Sequence, residues 1–194
     1  MDQRSKRGSH DKRRPLCLFR NKPTLNEIFL VTYIGLISDT HGYLDENVFK
    51  HFENCDEIWH AGDFGIIDVA NRLISFKPLK GVYGNIDGQD IRANYAEQLV
   101  FNCEQVKVMI RHIGGYPPKY NAETKKQLLI HQPHVFITGH SHILRVMYDH
   151  NINCLYVNPG AAGRQGWQKV RTIIRFVIDG AQIQNCEVIE LGKK

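Results

Sequence analysis

The sequence lacks the marks of several protein classes. Its five cysteines (Cys17, Cys55, Cys103, Cys154 and Cys186) are odd in number and scattered, with no C-x-x-C pair. That pattern speaks against a disulfide framework and a thiolate zinc site, and it fits a reducing, cytoplasmic setting. No apolar run approaches the roughly 18 residues of a membrane span, and no charged-then-apolar leader opens the chain, so a soluble protein is expected. Net charge is missing from the main part too. Residues 1–31 hold eight Lys/Arg against three Asp/Glu, which accounts for the whole +5, and the remaining 17 of each sign cancel. A main function in binding a phosphate backbone is therefore not indicated, and nucleic acid is left at most a weak contact with the basic tail. Residues 1–31 read as a solvated, poorly ordered extension.

What is present suffices for one domain, residues 32–194, since 42 % hydrophobic content in 194 residues supports a continuous core. The pattern becomes regular at Tyr33. A strand over Tyr33–Ser38 leads to a helical stretch, "LDENVFKHFENC", whose Leu44, Val48 and Phe52 share a face. A strand in "DEIWHAGD", a helix in "IIDVANRLISF" and a strand in "LKGVYGNID" follow. Strands alternating with helices at this spacing predict parallel pairing through right-handed crossovers. Beyond Ala93, "EQLVFNCEQVKVMIRH" predicts two strands around a turn at Glu104 and Gln105. "AETKKQLLIHQ" predicts a short helix, and "HVFITGHSH" another strand. The closing third reads as hairpin-connected strands whose edges leave a homo-oligomer open. Two sheets packed face to face with helices outside are expected.

Chemistry-bearing residues gather where the strands stop. Asp39 and His41 follow the first strand, Asp63 the second and Asn85 the third, each beside a glycine (Gly42, Gly62, Gly84). His112 follows a fourth, and His140 with His142 a fifth. Ligands collect at the carboxyl ends of parallel strands, so these side chains are expected to converge. Residues i and i+2 of an extended segment lie roughly 6.6 Å apart on one side, within reach of one ion or two adjacent ones. Seven ligands exceed what one tetrahedral ion needs and suit a pair held about 3.5 to 4 Å apart. His10, His51, His131, His134 and His150 lack this context. His60 is expected to orient a ligand through a hydrogen bond.

Taken in order, "SDTHG", "HAGD", "YGNID", "RH" and "TGHSH" resemble the motifs of the calcineurin-like metallophosphoesterases, over about residues 33–190. The closest likeness is to their small single-domain branch of YfcE-type phosphodiesterases. This resemblance implies a four-layer αββα sandwich of two mixed sheets flanked by helices. It implies one metal on Asp39, His41 and His142, a second on Asn85, His112 and His140, and Asp63 bridging both, with manganese favoured by family precedent and Fe, Ni or Zn compatible with the same donors. The implied activity is phosphodiester hydrolysis by in-line attack of a metal-bridging hydroxide on a phosphate-ester substrate. Alternatives are a phosphomonoesterase, or a protein-binding scaffold such as the retromer subunit of the same architecture. The third motif departs from the commoner pattern, with Ile86 where many relatives carry a proton-donating histidine. Asp87 is then either a substitute acid or, preferably, a carboxylate that orients a metal-bound histidine. "NPGAAGRQGW" reads first as a glycine-rich turn, with its backbone amides and Arg164 as the alternative phosphate contacts, and Trp167 and Tyr116 read as packing residues or, alternatively, pocket walls.

Overall fold

The computed structural model describes residues 31–194. The basic extension expected over residues 1–31 lies outside them, except Val31, which opens the first strand. In chain order the elements are β1 (Val31–Ile37), α1 (Asn47–His51), β2 (Glu57–His60), α2 (Ile67–Phe76), β3 (Leu79–Gly81), α3 (Gln89–Arg92), β4 (Gln98–Cys103) and β5 (Val106–Arg111). There follow β6 (Gly115–Tyr116), β7 (Lys119–Tyr120), α4 (Ala122–His131), β8 (Val135–Ile137), β9 (Arg145–Asp149), β10 (Cys154–Asn158), β11 (Val170–Asp179) and β12 (Gln182–Lys193).

Two five-stranded mixed sheets form, in the orders β12-β11-β1-β2-β3 and β4-β5-β8-β10-β9. Strands β1, β2 and β3 run parallel in one, and β5, β8 and β10 in the other. Strand alternation sorts the side chains into three apolar layers. Ile34, Leu36, Trp59, Val108, Ile110, Ile137, Ile174 and Phe176 fill the space between the sheets. Ile37, Val48, Phe52, Ile58, Leu73, Ile173 and Ile189 fill the layer of α1 and α2. Met109, Leu128, Phe136 and Tyr156 pack beneath α4. The four-layer sandwich expected from the sequence is thus present. Among the described residues no helix is long and apolar enough to cross a membrane, and Cys55, Cys103, Cys154 and Cys186 are free thiols.

Several details differ from expectation. The helix read over "LDENVFKHFENC" closes only over Asn47–His51, yet Leu44, Val48 and Phe52 are all buried, because turns at either end keep the same face inward. The short α3 and the β6–β7 hairpin carry too few residues to show a period. The last hairpin returns to the first sheet, where β11 pairs antiparallel with β1. Strand β11 is buried on both faces, and such a strand needs an interior place with a layer on each side.

Phe52, fully buried behind the first sheet, is a sensitive point of the outer layer. Phe52→Ala is expected to lower the free energy of unfolding by about 3 to 5 kcal/mol, read from urea denaturation midpoints at unchanged slope.

Candidate metal centre

Parallel strands within each sheet bring their carboxyl ends to one edge of the sandwich, and the sequence-predicted residues sit just past those ends. Asp39 and His41 follow β1, Asp63 follows β2, Asn85 follows β3, His112 follows β5 directly, and His140 and His142 follow β8. Five of them take a left-handed backbone: Asp39 (φ 53°), His41 (49°), Asp63 (57°), His140 (65°) and His142 (57°). This conformation costs free energy in a residue with a Cβ, and it turns each chain sharply so that the side chain faces the neighbouring loop. Glycines provide the room. A Cβ on Gly84 would lie 2.0 Å from an oxygen of Asp63, and one on Gly62 would lie 2.6 Å from Nδ1 of His112.

The donors fall into two groups, Asp39 with His41 and His142, and Asp63 with His112 and His140; within each, donor atoms lie within 4.8 Å of one another. Asn85 joins the second group, its Oδ1 3.1 Å from His112 Nε2. The groups adjoin, since His41 Nε2 is 3.7 Å from Asp63 Oδ2 and His112 Nε2 is 4.0 Å from Asp39 Oδ1. All seven predicted residues are therefore brought to one place. The backbone N–H of His140 donates to both oxygens of Asp39, at 3.1 Å each, and that of Ile86 donates to Asp63 Oδ1 at 3.1 Å.

The protons of two imidazoles are set from behind. His112 Nδ1 lies 2.7 Å from the carbonyl oxygen of Ala61, which only accepts, so Nδ1 carries the hydrogen. His142 Nδ1 lies 3.0 Å from Gln168 Oε1, and Gln168 is oriented by donating its amide to the Gly163 carbonyl. In both rings the Nε2 lone pair then faces the centre. There it meets carboxylate lone pairs: His112 Nε2 is 3.2 Å from Asp63 Oδ2 and His142 Nε2 is 3.2 Å from Asp39 Oδ1, while His41 Nε2 lies 3.1 Å from His142 Nε2. Only protons or cations placed between them relieve this repulsion. Protonation supplies part of it. Burial opposes charge on His112, but the hydrogen bond to Asp63 and the nearby carboxylates raise its pKa, and the bond to Asp39 raises that of His142. Burial instead lowers the pKa values of His41 and His140. Nδ1 of His41 is buried without a partner among the described residues. Carboxylates, an amide oxygen and imidazole nitrogens aimed at one another make a set suited to divalent cations of borderline hardness.

The residues around the centre take the following places. Asp87 does not reach a histidine: it accepts hydrogen bonds from the Gly65 and Gly84 amides at 2.8 and 2.7 Å and so pins the loops after β2 and β3. His60 touches no ligand side chain. Fully buried and stacked on Phe64, it accepts from the Gly62 amide through Nδ1, which leaves Nε2–H for Thr40 Oγ1 at 3.1 Å. The amides of Ala162 and Gly163 are spent on the carbonyls of Ser38 and Asp39, while Arg164 donates to the hydroxyl of Tyr43 and lies over its ring. Trp167 is wholly exposed, and Tyr116 lies beneath Arg145. Gln168 was not foreseen, because nothing in its local sequence distinguishes a side chain that will meet His142 across 26 residues. A cleft of about 290 Å³ opens beside Asn85 and His112, lined also by Tyr83, Arg92, Arg111 and Ile113.

Comparison with known proteins agrees with this geometry. The model of the calcineurin-like phosphoesterase superfamily domain matches residues 33–181. The chain belongs to that superfamily. A probable metallophosphoesterase of Methanothermobacter thermautotrophicus is 30 % identical over 135 residues, covering 66 % of this chain and 76 % of the relative. Among solved phosphoesterase-fold structures, a novel archaeal phosphodiesterase superposes with TM-score 0.65 at 22 % identity, covering 82 % of this chain and 99 % of its own. Vps29 of Entamoeba histolytica, solved with zinc, gives TM-score 0.65 at 15 % identity, covering 81 % and 98 %. These structural likenesses establish the fold that superfamily members share.

Two outcomes follow. Gln168→Ala, which removes the acceptor behind His142, is expected to weaken divalent-metal binding by about 10- to 100-fold, measured by titration calorimetry with manganese. His60 has its pKa pushed down to about 3 by burial, from 6.5. Below pH 6.5 the unfolded chain binds the proton that the folded chain refuses, so this contribution to stability is intact above 6.5 and declines as pH falls toward 3. His60→Gln is expected to flatten that part of the profile, seen in denaturation midpoints against pH.

Proposed function

We propose that this chain is a phosphodiesterase dependent on two divalent metal ions, manganese being the expected pair. The observation that carries the reading is the convergence of seven potential metal-donor side chains at one edge of the sandwich, with two of the imidazole tautomers set from behind. Asp39, His41 and His142 would hold one ion, and Asn85, His112 and His140 the other. Asp63 lies between the groups, suited to serve both. Such ions supply the positive charge that a phosphate ester and its attacking water require. Residues 32–194 form the whole working domain in this reading.

What the chain itself contributes is position. Amides of His140 and Ile86 hold the two carboxylates, Ala61 and Gln168 hold two rings, and Asp87 ties together the loops that carry Asp63 and Asn85. Asp87 is thus a positioning residue, with both oxygens engaged by amides. Beside Asn85, Ile86 brings no proton to a leaving oxygen. This favours esters whose leaving group departs without one, such as aryl diesters. The cleft next to Asn85 and His112 offers room for an ester substituent. The scaffold alternative is disfavoured by the same donor set, since partner binding has no need of converging imidazoles.

Purified protein supplied with manganese is expected to hydrolyse a bis(aryl) phosphodiester faster than the matching monoester. Asp63→Ala is expected to abolish turnover while the far-ultraviolet circular dichroism stays unchanged. Metal-loaded protein inert on both esters would refute the proposal.

A further inference from the structure

Among the described residues, three of the four outer edges of the two five-stranded sheets are blunted. Strand β12 carries Glu187, Glu190 and Lys193, and its ladder with β11 is broken by two register shifts. Strand β3 is three residues long and is followed by a bridge from Val82 to Ala96. On β4, Phe101 packs against the core beneath the ammonium group of Lys80. These are the usual devices that stop an edge from recruiting another strand.

Strand β9 carries charge only at its two ends, Arg145 and Asp149, is five residues long and keeps an unbroken register with β10. Among the described residues it ends the second sheet and pairs with β10 on one side only. Ile143, Leu144, Val146, Met147 and Tyr148 are each 36 % exposed or more. Both faces of the strand are apolar: Val146 and Tyr148 share the inter-sheet face with Val157 and Leu155, while Met147 shares the α4 face with Tyr156. Unpaired backbone groups flanked by exposed apolar side chains are a template for a further strand.

The sequence of the strand indicates which one. "RVMYD" is self-complementary when two copies run antiparallel about Met147. Arg145 then stands opposite the partner's Asp149, Val146 opposite the partner's Tyr148, and Met147 opposite the partner's Met147. Opposite charges and aromatic with β-branched side chains are favourable cross-strand pairs. Shifting the two-fold by half a residue or one residue, either way, sets Asp149 against an apolar residue. Arg145 lies over the ring of Tyr116, while Asp149 is buried with its carboxylate held by the Tyr120 hydroxyl at 2.9 Å and by the backbone and side-chain N–H groups of Asn151, so the exposed Val146, Met147 and Tyr148 carry the contact.

We propose that two copies of this chain dimerise through β9, joining their second sheets into one ten-stranded sheet across a two-fold axis at Met147. Such an interface is isologous and closes on itself, so it consumes the edge and does not propagate. It begins three residues after His142, directly beyond the loop that carries His140 and His142.

The test uses the full chain. Sedimentation equilibrium is expected to show a dimer, and Val146→Lys combined with Tyr148→Lys is expected to shift it to the monomer mass with unchanged circular dichroism. Register is read by cross-linking in a Cys17→Ser, Cys186→Ser background. Antiparallel neighbours have Cα atoms about 4.5 to 5.5 Å apart, within the roughly 4.4 to 6.8 Å that a disulfide spans. Met147→Cys should thus give a covalent dimer on mild oxidation. Val146→Cys should not, because its copies meet only diagonally, about 7 to 8 Å apart. A monomer at every concentration, a dimer unmoved by the two lysines, or equal cross-linking from positions 146 and 147 overturns the proposal.

Discussion

The lone pairs that face one another at the strand ends are the constraint around which the rest of the structure is arranged. Bringing Asp39 and Asp63 together with His41, His112 and His142 is unfavourable in the bare protein, because negative and lone-pair-bearing atoms approach within 3.1 to 4.0 Å. Left-handed turns at five of the residues add a conformational cost. An arrangement of this kind persists only if packing elsewhere over-determines it. The three apolar layers do so, and each ligand leaves a strand whose own residues are buried in one or two of them.

Between core and centre lies a shell of buried and part-buried polar groups that face away from the sheet edge. His60, Asp87, Gln168 and the Ala61 carbonyl bind backbone amides or the far side of an imidazole. None of them reaches the middle of the centre. Their work is to convert rigid strands into rigid loops, with hydrogen bonds that buried polar groups need in any case. A buried carboxylate such as Asp87 accordingly sits beside the centre with both oxygens engaged by backbone amides.

The path of the chain also decides the shape of the surface. Because β11 is buried on both faces it inserts beside β1, and the last hairpin extends the first sheet. The second sheet is left to end in β9, which no later segment covers. The topology that completes one sheet thus leaves the other with an apolar edge a few residues from the histidine loop.

Much of this was legible in the residues alone. Alternating strand and helix patterns, with polar residues and glycines where apolar runs stop, implied parallel strands and a convergence of Asp39, His41, Asp63, Asn85, His112, His140 and His142. Those signals are local, since periodicity and strand termini are properties of neighbouring residues. The roles of Asp87, His60 and Gln168 were not legible, nor the commitment of Arg164 to Tyr43, because each depends on contacts between segments distant in sequence. Which sheet took the last hairpin, and hence which edge stayed open, was likewise settled by three-dimensional packing. The sequence by itself determined the kind of chemistry available and the strand ends that carry it. Only the tertiary structure decided which groups point inward, which serve as supports and where the protons reside, because those outcomes are fixed by through-space distances that no spacing along the chain encodes.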